Sequence, residues 1–174
     1  MSGISGRERL QPSLLDRLTD LNPSAKRDGP DQQVLSFAQL RQAVLRDVAW
    51  LLNTTNLESI DDLSEAPRAA QSTLNYGIPG LAGLLESGSR VHALEEELAT
   101  AIRTFEPRIR GETVKVRGRG SSEGGGSPAL LFEIEGELWA QPVPLQLFLE
   151  TKIEVETRMA VVTESKARAA DYGS

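Results

Sequence analysis

Cysteine is absent from the 174 residues, which excludes disulfides, thiol nucleophiles, iron–sulfur clusters and zinc sites built on thiolates. There is a single histidine, His92, so His-rich metal sites are excluded and a nucleophilic triad has at most one imidazole to draw on. Aromatic residues make up only 5% of the chain. A core drawn from its 39% apolar residues is therefore mainly aliphatic. No apolar run approaches the roughly 18 residues that a bilayer-spanning helix needs. Positive charge is the scarcer sign, with 19 Lys and Arg against 25 Asp and Glu for a net charge of −6. An acidic chain repels phosphate backbones, which argues against a charge-driven nucleic-acid binder. Residues 1–10 lack the apolar segment of a secretory signal. The expectation is one soluble, intracellular, mildly acidic domain with spare chain at its ends.

The N-terminal arm, residues 1–35, holds one apolar cluster. Leu14, Leu18 and Leu21 recur at helical spacing, and Ser13 with Asp16 has the form of a capping box. The spacing predicts a short amphipathic helix over residues 13–21, too short to stand alone and hence a docking element. Residues 22–33, with Pro23, Gly29 and Pro30, read as a solvated linker. Ser36 then caps a helix running to about Asn53, with Gln39 completing the box and Phe37, Leu40, Val44, Val48 and Leu51 as its inward stripe. Leu57, Ile60 and Leu63 suit a short turn, and Pro67 suits the first position of another helix. Tyr76-Gly77-Ile78-Pro79-Gly80 is a turn. A further helix runs from a cap at Ser87 or Ser89 to Phe105, with Val91, Leu94, Leu98, Ile102 and Phe105 on one face. Pro107 stops it.

Beyond Pro107 the apolar period changes from helical to alternating. Thr113 to Arg117 is predicted as a strand, and Gly118 to Pro128 as a Gly/Ser turn. Ala129 to Ala140 sets Leu130, Phe132, Ile134 and Leu138 against Glu133, Glu135 and Glu137, and Leu145 to Glu156 makes a third strand. Short connections imply an antiparallel sheet, one face wet and the other covered by helices. The fold class is α+β: a small antiparallel sheet of three or four strands on two or three main helices, with an N-terminal helical arm. The predicted domain covers residues 36–156, followed by a polar tail over residues 157–174.

Few residues offer chemistry. Glu133, Glu135 and Glu137, with Glu150 and Glu154 nearby, share one open face of a sheet. Glycoside hydrolysis needs two carboxylates on opposite sides of a sugar, one with a raised pKa. This acidic row instead has the ordinary pattern of a solvated face. Gly118-Arg119-Gly120 and Gly124-Gly125-Gly126 have the composition of phosphate loops but lead from strand to strand, not from strand to helix. His92 lies in a first helical turn beside no evident nucleophile or second ligand. No Gly-x-Ser-x-Gly elbow is present. Glu106-Pro107-Arg108 is the densest local signal. Pro107 pushes Glu106 toward extended geometry, so that Glu106 and Arg108 share one side. On composition alone these are two solvated charges at a helix stop. By elimination, the chain reads as a binding or structural part.

Four stretches, in order, resemble one family: Leu14-Leu15-Asp16-Arg17-Leu18; Asp47-Val48-Ala49-Trp50-Leu51-Leu52-Asn53-Thr54; Ser72-Thr73-Leu74-Asn75-Tyr76-Gly77-Ile78-Pro79; and Phe105-Glu106-Pro107-Arg108-Ile109. Together they span roughly residues 14–156. The chain resembles the TssE family of baseplate subunits of the bacterial type VI secretion system, itself similar to a wedge protein of T-even phage baseplates. The resemblance implies a structural role without catalysis, cofactor or metal. It implies a cytoplasmic place in the baseplate, at the inner face of the inner membrane. The implied partners are the baseplate subunits TssF, TssG and TssK and the sheath proteins TssB and TssC, with no nucleic acid, small-molecule substrate or membrane insertion. Sheath polymerisation would start by strand addition to an open sheet edge. Leu14, Leu15 and Leu18 would dock on a baseplate neighbour, and Glu106, Pro107 and Arg108 would form a charged knot at the partner surface. Two other readings stand beside it: a regulatory adaptor on the same fold with a single protein partner, and a peptidoglycan hydrolase, which needs Glu106 exposed in a groove opposite a second carboxylate.

Overall fold

The computed structural model describes residues 13–19, 36–80, 91–122, 128–139, 144–154, 156–157 and 159–165. The predicted cap at Ser87 or Ser89, the linker over residues 22–33, the Gly124-Gly125-Gly126 run and the tail beyond Ser165 lie outside the described residues. Within these residues four α-helices and four strands run in the order α1 (Leu14–Leu18), α2 (Phe37–Leu52), α3 (Pro67–Ala70), α4 (Val91–Phe105), β1 (Lys115–Ser122), β2 (Ala129–Leu138), β3 (Leu145–Glu154) and β4 (Ala160–Glu164). The strands form an antiparallel meander in sequence order. Helix α4 lies over β1 and helix α2 over β4, so both main helices cover the same face of the sheet. This is the α+β class that the alternation of periods predicts.

Helix α2 starts where its sequence says. The Ser36 side chain accepts from the Gln39 N–H at 3.2 Å, and the Gln39 side chain accepts from the Ser36 N–H at 2.8 Å. Leu40, Val44, Val48 and Leu51 are buried, but Phe37 is 46% exposed. Helical side chains lean toward the N-terminus, so Phe37, in first position, points off the helix end. At the other end Asn53 does more than stop the helix. Its side chain donates to the Ala160 carbonyl at 2.8 Å and accepts from the Ala160 N–H at 2.9 Å, pinning α2 to the start of β4.

The chain between α2 and α4 is stitched by polar groups. Its turn lays Ile78 beside residues 54–56, with the Ile78 N–H on the Thr54 carbonyl at 2.8 Å and the Asn56 N–H on the Ile78 carbonyl at 3.0 Å. Gly77 makes that approach possible: its φ is 130°, and a Cβ there would stand 2.4 Å from the Thr54 carbonyl oxygen. Two buried asparagines replace missing backbone pairing. Asn56 accepts from the Ser59 N–H at 3.2 Å, while Asn75 accepts from the Glu58 N–H at 2.9 Å and donates to the Ala70 carbonyl at 3.0 Å.

Helix α4 presses on β1. Glu95 accepts from the Gly118 N–H at 2.6 Å, and a Cβ on Gly118 would meet the Val91 side chain at 2.6 Å. Gly118 to Ser122, predicted as turn, belong instead to β1, paired with residues 129–132 across a bulge between Gly118 and Gly120. Gly120 has φ 97°. Local composition reads Gly and Ser as turn formers, but a partner strand supplying main-chain hydrogen bonds overrides that preference. Residues 160–164 likewise form a fourth strand within a stretch that composition groups with the polar tail. There Val162 packs on the core and Glu164 pairs with Arg41 of α2 at 2.8 Å.

The core face of β3 carries one flaw. Thr151, 2% exposed, sits among buried aliphatics, and its hydroxyl has no hydrogen-bond partner. Two outcomes are expected in urea unfolding. Thr151→Val raises stability by about 1 kcal/mol, because an unmet buried hydroxyl is replaced by a methyl group. Gly77→Ala lowers it by about 2–4 kcal/mol, through backbone strain and the clash with Thr54.

Candidate docking site

The last turn of α4 delivers the chain to Glu106, whose N–H still bonds the Ile102 carbonyl at 2.9 Å. Pro107 cannot continue the helix. The chain then turns, with the Ile109 N–H on the Glu106 carbonyl at 3.1 Å. Glu106 and Arg108 therefore share a side through a tight turn, not through the extended geometry expected from sequence. Glu106 is 3% exposed, so it is not a solvated charge. The Arg108 Nε donates to Glu106 Oε1 at 2.7 Å and Nη2 to Oε2 at 2.5 Å, the two-pronged fork that suits a guanidinium to a carboxylate. The Arg108 N–H adds a third bond to Glu106 Oε1 at 3.1 Å.

Three further side chains, from α1 and α2, join this pair. Asp47 of α2 accepts from Arg108 Nη2 at 2.5 Å and from Arg46 Nε at 2.8 Å. Arg46 also reaches Asp16 of α1 at 2.9 Å, and Asp16 stands 3.9 Å from Arg108 Nη1. Three acids and two arginines from three segments thus form one network. One signal for it was present: Asp47 lies four residues before Leu51, beside the apolar stripe of α2, where a carboxylate needs a partner.

Aromatic side chains surround the network. Tyr76 meets Phe105 edge to face, with ring centroids 5.3 Å apart, and its hydroxyl donates to the Asp47 carbonyl at 3.5 Å. The Arg46 guanidinium lies 5.0 Å from the centre of the half-exposed Trp50 ring. Between Trp50, Tyr76, Phe105, Pro107, Arg108 and Leu15 opens a groove of about 430 Å³.

The surroundings set the protonation states. Burial alone would lower the Arg108 guanidinium, but the hydrogen bond and charge of Glu106, then those of Asp47, hold it above its ordinary value. Burial would raise Asp16, yet the Ser13 hydroxyl and Arg46 together hold it below its ordinary value. Burial, with the charges of Asp47 and Glu106 behind it, raises the Tyr76 phenol.

Of the leucines of α1 only Leu15 borders this groove. Leu14 and Leu18 are 72% and 75% exposed, and Leu15 is 45% exposed. The helix is shorter than the predicted residues 13–21: Thr19 already has extended backbone, and Leu21 lies outside the described residues. Its cap is made by side chains. The Ser13 hydroxyl accepts from the Asp16 N–H at 3.3 Å and donates to Asp16 Oδ2 at 2.6 Å, while Asp16 Oδ1 faces Arg46.

Other singled-out residues stand apart from the groove. Among the acidic row, Glu133 pairs with Arg119 at 2.7 Å, Glu137 with Arg110 at 3.3 Å and Glu154 with Lys152 at 3.2 Å. Glu150 accepts from the Ser165 hydroxyl at 2.6 Å. These are contacts along and across the sheet. Among the described residues no group of three or more His, Cys, Asp or Glu is placed to hold a metal. His92 is exposed and bonds Glu95 at 2.7 Å. Glu106 lines the groove but is buried, with both oxygens bound to Arg108, which does not meet the need of a glycosidase for an exposed acid.

Two outcomes test this geometry. Arg108→Met strands Glu106, while Asp47 keeps Arg46, and is expected to cost about 3–5 kcal/mol in urea unfolding, with much of the loss recovered when Glu106→Leu is added. Asp16 has a lowered folded-state pKa, so its hold on α1 is complete above the ordinary aspartate value of 3.8 and is lost as pH falls through the folded value. Amide exchange at residues 14–18 should therefore accelerate in that acid window ahead of exchange in α2.

A family model described as baseplate wedge protein gp25 matches residues 38–143, well over half of the chain and inclusive of Arg46, Asp47 and Glu106 to Arg108. Neither the curated proteins nor the solved structures searched gave a match. No helix among the described residues is long and apolar enough to cross a membrane. With its α+β fold and a helix stop locked by Glu106 and Arg108, the chain belongs to the baseplate wedge protein gp25 family, structural components of phage-tail-like baseplates that bind other baseplate proteins.

Proposed function

We propose that this chain is the TssE-like wedge subunit of a type VI secretion baseplate. In this reading it works on the cytoplasmic side of the inner membrane, docks on TssF, TssG and TssK, and starts polymerisation of the TssB–TssC sheath. Docking uses the exposed Leu14, Leu15 and Leu18 of α1 and the surface built on Glu106, Pro107 and Arg108. Sheath initiation uses strand addition at a sheet edge.

The observation that carries this reading is the difference between the two edges of the meander. β1 has Lys115, Arg117 and Arg119 and a bulge, devices that discourage pairing with a foreign strand. β4 pairs with β3 without a bulge and presents the half-exposed Val161. Among the described residues no strand lies on its other side. A strand entering there gains main-chain hydrogen bonds as well as apolar contact with Val161. Asn53 takes the outward main-chain groups of Ala160 and, with Arg41, holds β4 against α2, so the incoming strand pairs beyond Ala160, at Val162 and Glu164, on a stiff template.

The test is a mild pull-down of the tagged chain from its native cells, with mass spectrometry of the proteins that co-purify. The unaltered chain is expected to bring down baseplate and sheath proteins together. Val161→Lys leaves the core intact and places a cation on the edge; it should keep the baseplate subunits and lose the sheath. Arg108→Ala is expected to leave a soluble chain that no longer supports sheath assembly. Recovery of one unrelated partner in a simple 1:1 complex defeats the proposal and favours an adaptor role.

A further inference from the structure

Helix α1 forms one side of the groove beside Arg108, for Ser13 and Leu15 line it. Helix α1 has five residues, too few to be stable alone. Leu14 and Leu18 face solvent, so apolar burial does not hold it in place. Leu15 at the groove wall and Asp16 do that work. The Ser13 hydroxyl donates to Asp16 Oδ2 at 2.6 Å, which aims the carboxylate before it meets Arg46 at 2.9 Å. Opposite it, Arg108 Nη1 is buried and has no hydrogen-bond partner, a spare donor 3.9 Å from Asp16. Aromatic walls beside two arginines select an aliphatic side chain followed by a carboxylate. A cation at that second position would face Arg46 and Arg108.

We propose that the Arg46–Arg108 surface at the side of the groove is a receptor for a helical turn bearing leucine followed by aspartate, that α1 is its resident occupant, and that α1 acts as a charge-held latch beside the groove a baseplate partner uses. The proposal rests on the docking role proposed for this groove. Glu106 and Asp47 already balance Arg46 and Arg108, so Asp16 is a third acid on a neutralised pair. Its hold is weak enough to be released by a competitor. The contact is also sensitive to salt, because the screening length falls from about 10 Å at 0.1 M to about 3 Å at 1 M.

The test titrates a labelled synthetic peptide copying residues 10–22 into the full chain, read by fluorescence anisotropy. A tethered occupant competes at an effective concentration on the order of 1 mM. Weakening it in the Asp16→Asn chain should therefore let the peptide bind at least about tenfold tighter than to the unaltered chain. A peptide carrying the same Asp16→Asn change should bind neither chain. A chain with Leu14→Ser and Leu18→Ser should behave as the unaltered one. Equal affinity for the Asp16→Asn and unaltered chains, or no binding to the Asp16→Asn chain, overturns the latch. A failed pull-down alongside an intact peptide response counts against the baseplate reading alone.

Discussion

Arg108 is the point at which three distant parts of the chain are made to meet. Its guanidinium is planar and permanently charged, and it cannot be buried without acids around it. Glu106 supplies one from the end of α4, and Asp47 another from the flank of α2. Asp16 of α1 completes the ring with Arg46. Removing Glu106 or Asp47 leaves the guanidinium under-neutralised in a setting where water cannot fully replace them. The orientation of the two main helices at this end of the molecule, and the presence of a groove there, both follow from that requirement.

Such a cluster is a poor way to gain stability, since well-packed apolar groups in the same volume would hold the helices as firmly. Its use lies in geometry. A fork of two parallel hydrogen bonds tolerates little rotation, so the turn at Pro107 keeps one conformation and presents Pro107, Trp50 and the flanking aromatics as a fixed surface. The family binds other baseplate proteins, and fixed surfaces suit that task. The sheet applies the same logic with backbone groups: its first edge is bulged and cationic, while the last strand is short, regular and pinned at its first residue by Asn53.

The glycines that matter show how closely these layers approach. At Gly118 and Gly136 a Cβ would collide with Val91 of α4 and Ile109 of the segment after it, at 2.6 and 2.7 Å. The cover therefore sits directly on the strand backbone at these two points, and the Glu95 carboxylate reaches the Gly118 N–H. In the sequence Gly118 has the look of a loop residue, but in the fold it marks where a helix rests on a sheet.

Periodicity and cap chemistry determined a good deal unaided. The 3.6-residue stripe of Leu40, Val44, Val48 and Leu51, the Ser36–Gln39 box, the stop at Pro107 and the alternation along β2 are all local, and each appears where its pattern places it. So does the α+β class, which follows from the change of period. What tertiary structure alone decided is which distant groups meet. The pairing of Asp47 with Arg108 crosses 61 positions, and no local rule links them. The extension of β1 through Gly118 to Ser122 and the existence of β4 depend on partner strands that supply hydrogen bonds against local preference. The same holds for α1: its leucines signalled docking, but only the arrangement of Arg46 and Arg108 in space made Asp16 its anchor. Local patterns encode backbone shape and apolar faces, because those energies act within a few residues. A charge network is selected by distance in space, which a chain acquires only once it has folded.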